Sequence, residues 1–125
     1  MPRGYGRGRG RRQRVMSFLQ PCLLLMLTRG DAHGYRLLDE LDEFGFNPNR
    51  VDPSLVYRAL REMEASGWVT SRWDTESQGP QRKVYQITQE GKDYLELWVV
   101  DLHRTRDEID ALIAAYEQIK VDSGG

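Results

Sequence analysis

Apolar residues recur at helical spacing at both ends of the chain, with strand-like runs between them. Residues 18–28 are almost wholly apolar, and Pro21 stands early enough to be tolerated in a first helical turn. Gly30 and Asp31 end that helix and start another. Over 33–44, Leu37, Leu38, Leu41 and Phe44 share one face, while Arg36, Asp39, Glu40, Asp42 and Glu43 lie largely on the other. Gly45 is a natural stop, and Asn47-Pro48-Asn49 reads as a loop. The best-bounded helix is 53–66. Asp52 can cap it, Pro53 suits its first position and Gly67 closes it. Val56, Ala59, Leu60 and Met63 follow i, i+3, i+4, i+7 and make its apolar stripe. Ser54, Tyr57, Arg58 and Arg61 make a second stripe that is polar, basic and aromatic.

Residues 68–75 and 82–87 read as strands, joined by the turn formers of 76–81 into a β-hairpin. Thr88 then opens a helix expected to run to about Ile119, about 48 Å long at 1.5 Å per residue. Its apolar positions include Leu95, Trp98, Val99, Leu102, Ile109, Leu112, Ile113, Tyr116 and Ile119. A stripe of that length exceeds what a domain of this size can cover, so part of it is expected to meet a second chain. The predicted fold is mainly α with a small β-hairpin. Its expected parts are a flexible arm over 1–14, a winged helix-turn-helix domain over 15–88, a dimerisation helix over 89–120 and a disordered tail over 121–125.

Charge changes this picture more than composition does. The 125 residues carry 18 basic and 19 acidic side chains, a net −1 that speaks against a polyanion partner. The average conceals an asymmetry. Residues 1–14 hold six arginines and no acid, which leaves 12 basic against 19 acidic residues, or −7, in the remainder. An arm of alternating Arg and Gly cannot bury a core, and Arg7, Arg9 and Arg11 suit a narrow minor groove or the phosphates beside it. Residues 31–87 carry seven basic and ten acidic side chains, so affinity for a polyanion must come from local clusters and the arm.

Those clusters fit nucleic acid. Arg58 and Arg61 have the reach for guanine edges or phosphates, and Ser54 and Tyr57 can bond phosphates or touch a thymine methyl. The hairpin places Gln81, Arg82 and Lys83 beside that helix, suited to backbone or minor-groove contact. Arg50, just before the helix, fits a phosphate contact as well as a loop salt bridge.

Other chemistries find little support. His33 and His103 lack ligand spacing, the single Cys22 sits in an apolar helix, and no metal or cofactor is expected. Asp39, Asp42 and Glu43 fall on a solvated face with no His or Lys nearby, and the arm's glycines form no phosphate loop. The chain is therefore not read as an enzyme. One cysteine and the absence of a cleavage site after the apolar stretch at 15–27 suit the cytoplasm.

The chain resembles the PadR family of bacterial transcriptional regulators over roughly residues 18–116. The resemblance lies in His33-Gly34-Tyr35-Arg36-Leu37-Leu38, Pro53-Ser54-Leu55-Val56-Tyr57-Arg58-Ala59-Leu60 and Met63-Glu64 with Gly67. It continues in Gly79-Pro80-Gln81-Arg82-Lys83-Val84-Tyr85 and Thr88-x-x-Gly91. It implies a homodimeric repressor that binds an inverted repeat and is released by a small effector. The family usually has Gly-Thr where this chain has Ser54-Leu55, so the first turn of the reading helix is expected to contact DNA differently. Phe18-Leu19-Gln20-Pro21 and Glu43-Phe44-Gly45-Phe46 are similar to a subgroup labelled polyhydroxybutyrate-responsive repressors. In family members, flat apolar effectors lodge between the long helices and the first helices. By that resemblance Trp98, Val99 and Leu102, with Leu25 or Met26 opposite, would contact a small apolar or aromatic effector. Trp98 packing a dimer core is an equal alternative. The alternative function is a winged-helix protein-interaction module whose arm attracts nucleic acid without sequence preference.

Overall fold

The computed structural model describes residues 18–45, 51–76, 79 and 81–124. Chain contacts divide it into two units, the first ending at Leu95 and the second running from Glu96.

The first unit begins with α1 (Leu19–Thr28), a helix buried nearly all round by Leu19, Pro21, Leu23, Leu24, Met26 and Leu27. A helix this apolar buries most of its surface in the centre of its domain, with Leu25 left exposed on the remaining side. Cys22 is half-buried on it, and burial pushes its thiol up to about 11, away from thiolate chemistry. A two-residue strand, β1 (Ala32–His33), follows and leads into α2 (Gly34–Asp39). The single helix expected over 33–44 is thus corrected in three ways. His33 is in a strand, only 34–39 is α-helical, and Glu40–Phe44 tightens into a 3-10 turn. That turn closes at Gly45, whose φ of 85° favours glycine. Leu37 and Leu41 still reach the core, with Leu38 and Phe44 packed against it.

α3 (Pro53–Ala65) starts where the sequence placed it. Asp52 Oδ1 accepts the backbone N–H of Ser54 at 3.0 Å, and Pro53 takes the first turn. That bond holds the Asp52 carboxyl below its ordinary value. Val56, Ala59, Leu60 and Met63 are buried, as the stripe requires. Gly67, with a φ of 83°, turns the chain into β2 (Val69–Trp73), which pairs antiparallel with β3 (Lys83–Ile87). β3 is central in the order β1-β3-β2, with Ala32 opposite Tyr85 and His33 opposite Val84. The third strand was not legible, because two residues are too few to show alternation.

α4 (Gln89–Gly124) starts from Thr88, whose Oγ1 accepts the Gly91 N–H at 3.0 Å. Its first two turns belong to the first unit: Tyr94 stacks on Trp68 with ring centroids 3.6 Å apart, and Leu95 packs on the core. The expected domain boundary at 88/89 therefore moves to 95/96. The disordered tail expected from 121 is also corrected, since 121–124 continue the helix. Gln118 donates to Asp122 at 3.1 Å there, and Ser123 to the Ile119 carbonyl at 3.0 Å. No breaker interrupts the chain until Gly124. No described helix is long and apolar enough to cross a membrane.

Candidate nucleic-acid interface

Cap and core fix which side of α3 faces solvent. With Val56, Ala59, Leu60 and Met63 turned inward, Ser54, Arg58 and Arg61 are exposed on the opposite side. Arg58 Nε lies 3.5 Å from Glu62 Oε2, a one-turn pair too exposed to hold the guanidinium against a better partner. Arg61 has no ion pair with any described residue. Tyr57 departs from the expected stripe. It is half-buried, and its ring lies directly over Gly34 at the start of α2.

The hairpin brings the second cluster beside this helix. Ser71 Oγ donates to Glu64 at 2.8 Å, a tie between β2 and α3. Tyr85 on β3 is buried; burial raises its phenol, Glu64 and Tyr57 add to the rise, and Arg61 opposes it. The Asp74 N–H donates to the Arg82 carbonyl at 2.7 Å and extends the β-pairing by one rung. Trp73, in β2, is 55% exposed and carries the Lys83 ammonium 5.5 Å from its ring centre.

Arg82 lies over the ring of Tyr35, 4.8 Å from its centre. Tyr35 in turn stacks on His33 at 5.3 Å, and His33 Nε2 is 2.9 Å from Asp74 Oδ2. Asp74 also accepts the Glu76 N–H at 3.1 Å through its other oxygen. That backbone bond first, and the His33 bond second, hold its carboxyl below the ordinary value. The hairpin turn, β1 and α2 are thus connected by one polar and aromatic chain. A cleft of about 550 Å³ is bordered by His33, Gly34 and Tyr35 at the start of α2, by Tyr57 of α3, and by Trp73, Gln81, Arg82, Lys83 and Tyr85 of the hairpin.

Of the expected contact residues, Ser54, Arg58 and Arg61 are exposed on α3, while Tyr57 of that helix borders one cleft with Gln81, Arg82 and Lys83. Arg50, Arg7, Arg9 and Arg11 lie outside the described residues. Of the residues expected at an effector, Leu25 is exposed on α1 and Met26 is buried in the core at 3% exposure. Trp98 and Leu102 are half-buried and Val99 exposed on α4. Sequence reasoning missed Tyr35, His33 and Asp74 as members of the cluster. Their only early signal was that His33 and Tyr35 stand in one recurring motif. Among described residues, no group of His, Cys, Asp or Glu could hold a metal ion.

A capped helix with its outer side exposed, backed by two helices and flanked by a hairpin with cations where its second strand begins, defines a winged helix-turn-helix protein. Residues 23–97 match the transcriptional regulator PadR-like family, and the chain belongs to that family. Membership places it among transcriptional regulators and outside the enzymes.

The chain is similar to the transcriptional regulator YqjI of Escherichia coli, with 30% identity over 94 residues. That match covers 74% of this chain and 44% of the relative, so the chain spans less than half of that protein's length. A PadR-like transcriptional regulator from Bacillus cereus superposes with a TM-score of 0.69 at 26% identity, over 81% of this chain and 96% of that one. PadR of Bacillus subtilis in complex with operator DNA superposes at 0.59 with 25% identity, over 68% of this chain and 48% of its own.

Proposed function

We propose that this protein is a cytoplasmic DNA-binding repressor that reads an inverted repeat as a homodimer. The observation that carries the reading is the capped helix α3, with Ser54, Arg58 and Arg61 exposed on its open side, beside a hairpin whose Gln81, Arg82 and Lys83 border one cleft with Tyr57 of that helix. A helix of this diameter fits the major groove, where arginine reads guanine edges, while the hairpin reaches neighbouring backbone. Arg50 and the arm residues Arg7, Arg9 and Arg11 add phosphate or minor-groove contacts in this reading. The Bacillus subtilis relative solved on operator DNA supports it.

Dimerisation is supported by the second unit taken alone. Leu97, Val100, Ile109, Leu112, Ile113, Tyr116 and Ile119 are between 50% and 71% exposed on one helix. So much apolar surface calls for a partner helix, and a second copy supplies one of matching pattern. Two copies related by a two-fold axis read half-sites about 34 Å apart, one DNA turn, or a multiple of it. A small apolar or aromatic effector that releases the DNA completes the reading, with Trp98, Val99 and Leu102 as its contacts on α4.

The test is the double variant Arg58→Ala/Arg61→Ala. Each guanine-reading arginine is worth about 1–3 kcal/mol of discrimination, so the pair should lose its preference for operator over random DNA. Footprints unchanged from wild type would refute the assignment of α3 as the reading helix.

A further inference from the structure

Most described arginines of the first unit are held by carboxylates: Arg29 by Glu43, Arg36 by Glu40, Arg58 by Glu62 and Arg72 by Asp31. Arg82 and Lys83 are not. With no described acid within 4.0 Å, each cation rests on an aromatic ring, Arg82 on Tyr35 and Lys83 on Trp73. A cation parked on an exposed ring is weakly held and passes readily to an anion. The nearby carboxylate of Asp74 is occupied by His33 and the Glu76 N–H. Tyr35, although 44% exposed, does not swing freely, because His33 stacks beneath it and Asp74 anchors His33.

Both rings border the cleft of about 550 Å³ that the start of α2, Tyr57 and the hairpin line. A bare phosphate would leave most of that space and both ring faces unused. The volume is in the range that holds small organic ligands, about 300–1,000 Å³. The occupant that fits has an anion for the two cations and a flat or apolar body for the two rings.

We propose that this cleft receives one phosphorylated nucleotide unit, with its phosphate on Arg82 and Lys83 and its sugar or base against Tyr35 and Trp73. Two sources carry that chemistry: a backbone nucleotide of DNA lying across α3, or a free nucleotide that competes with DNA for the hairpin. The first source rests on the DNA-binding reading above; the second does not.

The test uses the full chain, a short fluorescein-labelled duplex and adenosine 5′-monophosphate. Binding is followed by anisotropy and by the indole N–H resonance of Trp73. Tyr35→Ala and Arg82→Ala are each expected to weaken binding about tenfold, the scale of one aromatic or phosphate interaction. Arg82→Ala should also lower the salt slope for the duplex by about 0.9. Tyr35→Phe keeps the ring and should bind within about twofold of wild type, which separates loss of the ring from loss of the fold.

A duplex that moves the Trp73 resonance while the mononucleotide does not assigns the site to DNA backbone. A mononucleotide that moves it and displaces the duplex assigns it to a free ligand. The proposal is overturned if neither probe moves Trp73, or if Tyr35→Ala and Arg82→Ala bind as wild type. Loss of sequence preference in Arg58→Ala/Arg61→Ala alongside unchanged Tyr35 and Arg82 variants would leave the DNA-binding reading standing and this one refuted. Mononucleotide binding without duplex binding would do the reverse.

Discussion

Gly34 and Gly91 show why small residues stand where helix propensity alone would favour alanine by about 0.5–1 kcal/mol. A Cβ on Gly34 would overlap the Tyr57 ring, and one on Gly91 would overlap the Trp68 carbonyl oxygen. The ring can turn aside, but the backbone carbonyl cannot without moving β2. Gly91→Ala is therefore expected to cost about 1–3 kcal/mol net in thermal or urea unfolding, and Gly34→Ala less. The Gly34 variant should instead disturb Tyr57 and with it the cleft. A Gly91→Ala protein as stable as wild type would show that the start of α4 does not press on Trp68.

Asp74 gives a pH dependence with a definite sign. Its carboxyl is held below the ordinary 3.8, so the ionised form is the one the fold favours. The stability it contributes is complete above that ordinary value and is lost as pH falls through the lowered one. Asp74→Asn should therefore unfold more easily than wild type at neutral pH, and the gap should narrow as acid protonates Asp74. A gap that is constant with pH would mean the bonds to Glu76 and His33 do not depend on its charge.

At the scale of elements, legibility followed the length of each pattern. α3 was readable to within a residue because cap, Pro, apolar stripe and closing glycine all agree locally. α4 was readable because its apolar stripe repeats from Leu95 to Ile119, though not its end, since nothing near 120 distinguishes a fraying helix from a continuing one. β1 and the 3-10 turn at Glu40–Phe44 were not, because both are set by neighbours distant in sequence. The same applies to the site. The two arginines of α3 announce themselves by spacing, whereas the His33–Asp74 bond joins residues 41 positions apart and leaves no local trace. The arm is legible only as charge, and charge suffices for a prediction. Deleting residues 1–14 should weaken DNA binding and reduce the salt slope by about 0.9 for each phosphate the arm neutralises, while sequence preference remains. Loss of all binding would place the affinity in the arm and favour the protein-interaction alternative.

For the whole molecule, the central question is assembly on DNA. The exposed apolar face of the second unit makes Ile109→Asp/Ile113→Asp the informative pair. Two buried charges facing two more across a helix pair should convert a dimer to a monomer in sedimentation, while the first unit keeps its own core. Operator affinity should fall steeply in the same variant, because each half-site is then bound singly. A double variant that sediments as the wild type does would contradict the proposed dimer contact on this helix.

The most direct test of the regulator itself is fluorescence anisotropy of the full chain on the DNA upstream of its own gene, against a shuffled duplex at about 150 mM salt. A sequence-specific regulator is expected to prefer the native fragment by about a thousandfold or more. Equal, weak and salt-sensitive binding to both duplexes would contradict the claim that α3 and its hairpin read a sequence there.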